Sequence, residues 1–334
     1  MRHEIRWTSK KIHQRLSLVE NLVYRQRQPI SGFRYKELDS ALDVPPIHVD
    51  VDDRDWDVIL PNEYWGLPRV NFVLRARFTI PHEWLAALPT ALHLPLGISG
   101  DFSHPEALAY IDGQPYASAD RHHQEIILSE KWCDGKTHTL ALHGWTGIGG
   151  STGGDATKKL QMKTCEVVQI DQPTRDFITL ARVALGIADH LDENNLSRHH
   201  LYTALDEAFK ILDLRIPIGN SFYSSIHLAH QNLKEHIDLA GPALNVDITA
   251  VGHAHLDVAW LWTLAQTRRK TERTFHNVIR LMDDFPEFHF VQSQPHLYEV
   301  IREDHPQLFS EIQKRVAEKR WEPIGGMWVE ADCN

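Results

Sequence analysis

The chain begins with a helical pattern of apolar residues. They recur at steps of three and four, which is the spacing of one face of an α-helix. The residues on this face are Ile12, Leu16, Val19 and Val23. We therefore predict an amino-terminal helix over residues 10–25, which packs as an arm and is followed by an extended segment up to residue 60.

A second pattern, of alternating apolar and polar residues, runs from about residue 70 to residue 170. Its short runs are broken by Pro, Gly and Asp, as expected between strands. The runs are 72–80, 92–98, 108–111, 125–128, 137–142 and 160–170. Between two of them, Asp112-Gly113 carries the signal of a tight hairpin. A Gly-rich stretch over 147–155 lacks the strand-to-helix setting of a phosphate cradle and predicts a flexible loop. We predict a β-sandwich-like domain over residues 61–172.

Beyond Pro173 the helical period returns. Two apolar stripes at helical spacing consist of Leu201, Leu205, Phe209 and Leu212, and of Phe222, Ile226, Leu233 and Ile237. The second stripe stops at Gly241-Pro242, a pair that ends helices. We predict a helical linker over residues 173–244.

The last part of the chain, residues 245–334, alternates between strand and helix patterns. The predicted elements are a strand 247–251, a helix 264–284, a strand 288–292, a helix 296–319 interrupted near Pro306, and a strand 321–329. Such βαβαβ alternation predicts a parallel sheet, and ligands of such sheets bind beyond the carboxyl ends of the strands. The predicted fold class is therefore multidomain, α+β followed by α/β.

Side chains that bind metals follow two of these strands. His253, His255 and Asp257 stand two residues apart after the first strand, and Asp332 follows the last. In extended backbone alternate side chains point the same way, so His255 and Asp257 can converge on one cation. Asp332 supplies another carboxylate at the end of another strand. This donor set suits Zn²⁺, with Co²⁺ or Mn²⁺ as substitutes. The alternative is that the histidines satisfy backbone carbonyls or a neighbouring carboxylate.

Composition narrows the functional classes. The net charge is −10 and basic residues form no block, which argues against a nucleic-acid partner. No run approaches the roughly 20 apolar residues of a membrane span, so no membrane partner is predicted. The three cysteines, Cys133, Cys165 and Cys333, are odd in number and lack CxxC spacing. They favour a reducing compartment, and we predict a cytoplasmic protein.

The two motif segments, residues 253–262 and 325–334, resemble the α-mannosidases of glycoside hydrolase family 38. The likeness extends over the whole chain, whose earlier parts resemble the amino-terminal region of the cytosolic and vacuolar type. This resemblance implies that His255 and Asp257 are zinc ligands and that Trp260 stacks on bound mannose. It also implies that Asp332 is both nucleophile and zinc ligand, and that His253 supports the ligands without binding the ion.

The resemblance further implies an activity. The family hydrolyses terminal α-mannosyl linkages of oligosaccharides with retention of configuration, assisted by metal. Residues 245–334 then begin a seven-stranded-barrel-like catalytic domain. The family's fourth ligand, a histidine, and its general acid come from segments after the second motif. We therefore expect an amino-terminal fragment that binds metal weakly and has no turnover alone. The sequence leaves its oligomeric state open.

Two other functions and several residue roles remain as alternatives. A metal hydrolase of the amidohydrolase-like type would use both His253 and His255 as ligands. A carbohydrate-binding module would hold sugar on the 70–170 region without catalysis. Trp260 and Trp262 are alternatively core aromatics. Glu330 either points toward the site or pairs with a basic residue, Lys319 or Arg320.

Overall fold

A computed structural model describes most of the chain. The described residues are 2–84, 88–97, 104–149, 159–216, 219–240 and 246–330. The chain forms two compact units. The helical unit consists of Met1–Gln28, Glu83–Ala91 and Val168–Ile248, and the β-rich unit of Pro29–His82, Leu92–Val167 and Thr249–Asn334.

Seven α-helices and fifteen strands are found within these described residues. The helices are α1 Arg2–Glu20, α2 Gln172–His190, α3 Leu196–Ile211, α4 Asn220–Ala240, α5 Leu264–Asp284, α6 Pro295–Asp304 and α7 Pro306–Ala317. The strands before residue 200 are β1 Tyr24–Pro29, β2 Phe33–Leu38, β3 Asp57–Ile59, β4 Tyr64–Trp65, β5 Asn71–Thr79, β6 Thr90–His93, β7 Glu106–Ile111, β8 Gln114–Ala119, β9 Glu125–Leu128, β10 Thr137–Trp145, β11 Leu160–Gln161 and β12 Glu166–Ile170. The remaining strands are β13 Gly252–His253, β14 Phe290–Gln292 and β15 Trp321–Pro323. None of the described helices is both long and apolar enough to cross a membrane.

The helical unit contains α1 to α4 around one apolar core. The predicted stripes of α3 and α4 lie in this core, with Leu205, Phe222 and Leu233 fully buried. Asp171 caps α2 by accepting a hydrogen bond from the Thr174 amide at 3.0 Å. The first helix was predicted to run to residue 25, but it ends at Glu20, and the strand β1 begins four residues later.

In the β-rich unit the chain builds a six-stranded antiparallel sheet of order β3-β2-β5-β10-β7-β8. The predicted hairpin at Asp112 and Gly113 joins β7 to β8, and both residues take positive φ, 49° and 80°. The predicted run 160–170 is two strands, β11 and β12. Most of the predicted loop 147–155 lies outside the described residues. The sandwich arrangement and the predicted domain boundaries stay predictions.

The βαβαβ prediction is confirmed by a parallel three-stranded sheet of order β13-β14-β15. Helix α5 matches its predicted range, and Pro306 divides the second predicted helix into α6 and α7. The strand predicted at 247–251 is wrong, because pairing begins at Gly252, whose amide donates to the His289 carbonyl at 2.8 Å. The strand predicted at 321–329 ends at Pro323. The chain turns there, since Gly325 takes φ +79°. That these strands begin a barrel stays a prediction.

Helix α5 binds this small sheet to the large one through charged side chains. Lys270 and Arg273 both donate to the Glu106 carboxylate at the start of β7. Burial raises the pKa of Glu106, but the charges of Arg273 and Lys270 outweigh it and hold the pKa below its usual value. Burial lowers the pKa of Lys270 against the attraction of Glu106. The helix that follows the first motif is thereby fixed within the β-rich unit.

Candidate metal centre

The first motif follows the short strand β13, which ends at His253. Gly252, His253, Ala254 and Leu256 line a cavity of about 490 Å³. Nε2 of His253 and Nδ1 of His255 both face the Glu330 carboxylate of the second motif. The two histidines therefore approach the same carboxylate, and the predicted alternation along the motif stays a prediction.

His255 lies between two carboxylates. Its Nε2 is 3.0 Å from Oδ1 of Asp257, and its Nδ1 is 3.1 Å from Oε2 of Glu330. The hydrogen bond to Asp257, and then that to Glu330, raise the pKa of His255 above its ordinary value. Each ring nitrogen thus faces an anionic oxygen, as it would in an imidazolium ion.

His253 is oriented by a backbone carbonyl. Its Nδ1 donates to the carbonyl oxygen of Val291 in β14, at 3.0 Å. The opposite nitrogen, Nε2, is 3.9 Å from the Glu330 carboxylate. A metal-binding histidine commonly donates its second N–H in this way, so the contact is compatible with a ligand as well as with a support.

The donor chemistry fits a borderline divalent cation. One nitrogen from each of His253 and His255 and one oxygen of Glu330 lie within 4.8 Å of one another. His255 Nε2 and Asp257 Oδ1 are 3.0 Å apart. This distance is close to the separation of roughly 3.4 Å between two ligand atoms of a tetrahedral zinc site. The described residues therefore offer two candidate ligand sets that share His255. One set contains His253, His255 and Glu330, and the other contains His255 and Asp257. Asp332, the predicted nucleophile and third ligand, lies outside the described residues.

Glu330 reaches this site through the chain that follows β15. Of the two alternatives from sequence, the one toward the site is confirmed. Arg320 instead donates to the carbonyls of Met282 and Phe285, at 2.7 and 2.8 Å. The His296 amide, at the start of α6, donates to the Trp328 carbonyl at 3.0 Å and holds this segment beside the first motif.

The two tryptophans of the first motif have different surroundings. The side chain of Trp260 is 50% exposed and meets the ring of Trp262 edge to face at 5.3 Å. The Lys270 ammonium lies 4.1 Å from the Trp262 ring centre. Between the motif and α5, Ala259 takes φ 57° and its amide donates to Oγ1 of Thr267 at 3.1 Å. Trp262 is thus held by packing, while the side chain of Trp260 stays half exposed.

Sequence reasoning missed two residues of this region, Gln292 and Gln294. Both are buried, and their side-chain amides donate to the carbonyls of Ala254 and Leu256, each at 2.9 Å. The available signal was their alternation at the end of a buried strand, where a polar side chain needs a partner.

The segment that carries these residues is similar to a known protein family. The sequence model of the family described as "Glycosyl hydrolases family 38 N-terminal domain" matches residues 245–334, which contain the described motif residues of the site. This segment of the chain is therefore similar to the family. The family 38 segment therefore begins shortly before β13 and carries the described histidines and carboxylates of the candidate centre.

Several curated relatives of this chain are named as α-mannosidases. "Alpha-mannosidase 2C1" of Homo sapiens is 28% identical over 272 residues, which are 78% of this chain and 25% of that protein. "Alpha-mannosidase G" of Dictyostelium discoideum is 41% identical over 87 residues, 26% of this chain and 8% of that protein. "Alpha-mannosidase" of Saccharomyces cerevisiae is 39% identical over 89 residues, also 26% of this chain and 8% of that protein. The chain therefore matches a quarter or less of the length of these relatives.

Proposed function

We propose that this chain contributes to an α-mannosidase that hydrolyses terminal α-mannosyl linkages of oligosaccharides with the help of a bound metal ion. The observation that carries the proposal is the 3.0 Å separation of His255 Nε2 and Asp257 Oδ1 within the family 38 segment. The names of the curated relatives support the substrate class.

The proposed ligands are His255, Asp257 and Asp332, with Zn²⁺ as the expected ion and Co²⁺ or Mn²⁺ as substitutes. In this arrangement Nε2 of His255 binds the ion, and Nδ1 donates to Glu330, 3.1 Å away. Such an outer carboxylate fixes the ring and raises its basicity. When bound, the ion supplies Lewis acidity and holds substrate hydroxyls.

The proposed reaction retains configuration at the anomeric carbon. The Asp332 carboxylate forms a bond to that carbon as the bond to the leaving oxygen breaks, and a general acid gives the leaving oxygen its proton. Water then cleaves the glycosyl ester and restores the carboxylate. Trp260, with its ring half exposed, offers the sugar an apolar face. The sequence assigns no residue to the role of general acid, so we expect no turnover by this chain alone.

A second candidate rests on the other ligand set. His253, His255 and Glu330 offer three ligand atoms within 4.8 Å of one another. A metal hydrolase of the amidohydrolase-like type would use both histidines in this way. The family match of residues 245–334 favours the α-mannosidase. In our proposal for that enzyme, Asp257 is a ligand and His253 is not.

Metal-dependent recognition of mannose tests the proposal. Saturation-transfer NMR of the Zn²⁺-loaded chain should show binding of methyl α-mannoside in preference to methyl α-glucoside, its epimer at C2. Removal of the ion and the variant Trp260→Ala should each weaken the signal, whereas Trp7→Ala, at another exposed tryptophan, should not. Equal binding of both sugars with and without metal would reject the proposal. A separate assay with an aryl α-mannoside tests the expected lack of turnover.

The remaining partner predictions stay predictions. They are a mannose-containing oligosaccharide as substrate, no nucleic acid, no membrane and a cytoplasmic location. The oligomeric state stays open.

A further inference from the structure

The backbone pairing of β13 with β14 covers two residue pairs and then stops. Gly252 pairs with Phe290 and His253 with Val291. The metal-binding residues His255 and Asp257 come after this point. Something other than the backbone ladder must therefore hold the extended chain at the site.

Two side-chain amides continue the ladder in the same register. The backbone pairs are 38 residues apart, and Ala254 and Leu256 lie 38 residues before Gln292 and Gln294. The Gln292 amide donates to the Ala254 carbonyl and the Gln294 amide to the Leu256 carbonyl, each at 2.9 Å. These carbonyls flank His255 on either side, so the histidine backbone is held at two points.

The oxygen of Gln294 binds the second motif. It accepts a hydrogen bond from the Glu330 amide at 3.2 Å. One side chain therefore joins the backbone beside His255 to the backbone of the residue whose carboxylate faces His255. Gln292 uses its own oxygen to accept from the Ser293 amide at 2.9 Å, which fixes its amide plane.

Burial makes these contacts obligatory. Gln292 is 0% and Gln294 is 1% exposed. A buried amide without a hydrogen-bond partner destabilises the folded state, because its desolvation is not compensated. Each glutamine therefore favours the one arrangement of the two motifs in which its hydrogen bonds form. Glutamine alone among residues of this length offers a donor and an acceptor together without charge.

We propose that Gln294, supported by Gln292, is a positioning residue of the metal centre, which sets the two motifs in register and thereby raises metal affinity. This inference rests on the metal centre of the proposed function. It assigns no contact between either glutamine and the ion or the substrate.

The test is Co²⁺ binding by the 334-residue chain, followed by visible absorption and calorimetry. Gln294→Glu keeps the acceptor for the Glu330 amide and removes the donor to the Leu256 carbonyl. We expect affinity to fall by about 10-fold to 100-fold, as for other partners of metal ligands, with a changed d–d spectrum. Gln292→Glu should act in the same direction. Gln124→Glu, which loses a comparable amide bond to the Arg121 carbonyl, should leave both readouts unchanged.

The outcomes separate this inference from the proposed function. A parent chain without Co²⁺ affinity would reject the metal centre itself. If the parent binds Co²⁺ and the folded Gln294→Glu variant has the same affinity and spectrum, the positioning role is overturned and the metal centre is not. If Gln294→Glu fails to fold, Gln294→Met, which keeps length and burial, replaces it. A Met variant that also fails to fold, or that binds normally, would overturn the inference, since the role would then be structural or absent.

Discussion

Nε2 of His255 lies 3.0 Å from Oδ1 of Asp257, while Nδ1 of the same ring is 3.1 Å from Oε2 of Glu330. One imidazole thus separates two carboxylates that belong to two distant motifs. Because each ring nitrogen has one anionic neighbour, a metal on one side leaves a hydrogen bond on the other. The two ligand sets differ in whether the carboxylate of Asp257 or that of Glu330 binds the metal.

Replacement of Asp257 by asparagine should greatly weaken metal binding. In our proposal the change replaces a charged carboxylate ligand with a neutral amide, whose oxygen is a much weaker donor to the ion. We expect a loss of more than about 100-fold in Zn²⁺ affinity, beyond the effect of a supporting partner. Calorimetric titration measures it. Asp247→Asn, at an exposed aspartate ten residues earlier, is the control and should bind as the parent does.

The variant His253→Asn tests whether His253 is a ligand. An asparagine amide can donate to the Val291 carbonyl in place of Nδ1, which now makes that bond at 3.0 Å, but it lacks Nε2. We therefore expect Zn²⁺ affinity within about 10-fold of the parent, the lower limit for losing a supporting partner. A loss above about 100-fold, measured in the same titration, would favour the amidohydrolase-like set.

Glutamine at position 330 should weaken the site moderately. Glu330→Gln retains an oxygen that can accept from His255 Nδ1 and removes the negative charge. We expect about a 10-fold lower affinity for Zn²⁺, because the histidine becomes a less basic ligand. Competition with a chromogenic chelator measures this change. Complete loss of binding would place Glu330 among the ligands.

The long elements of the fold could be predicted from periodicity. Helix α5 begins and ends at its predicted residues, and Pro306 interrupts the next helix as expected. The bounds of short strands could not be predicted from the sequence, because they depend on pairing with a neighbouring strand and not on the apolar pattern alone. Ile248 and Val251 looked like strand residues but are exposed, and the ladder begins only at Gly252.

The candidate site was predicted in part. His253, His255 and Asp257 could be found because alternation in extended backbone is a local property. The role of Glu330 could not be decided, since it depends on the turn at Gly325 and the hydrogen bond to Gln294. The glutamines themselves were missed because their partners lie 38 residues away, so the alternation of Gln292 and Gln294 does not reveal what they bind.

The carboxylate of Glu106 should stabilise the β-rich unit. Glu106→Gln leaves Lys270 and Arg273, whose side chains are 9% and 8% exposed, without this anion. Unpairing buried charges is expensive, and we expect about 3 kcal/mol lower stability in urea unfolding. Glu311→Gln breaks an exposed pair with Lys314 and should cost less than about 1 kcal/mol. Equal losses for both variants would contradict the proposed role of Glu106.

We expect the contribution of Glu106 to folding stability to be lost at acidic pH. The folded-state pKa of Glu106 is lower than its ordinary value of 4.5, through Arg273, Lys270 and His104. Its contribution is therefore present above pH 4.5 and is lost as the pH falls below it. The stability difference between the parent and Glu106→Gln should shrink as the pH falls below 4.5. A difference that is constant over this range would refute the prediction.

A crystal structure of the Zn²⁺-loaded protein, with the ion located by anomalous scattering, tests the central claim most directly. The account predicts contacts of about 2.0 to 2.2 Å from the ion to Nε2 of His255 and to the carboxylates of Asp257 and Asp332. An ion bound by His253, His255 and Glu330, with Asp257 outside its coordination sphere, would contradict it.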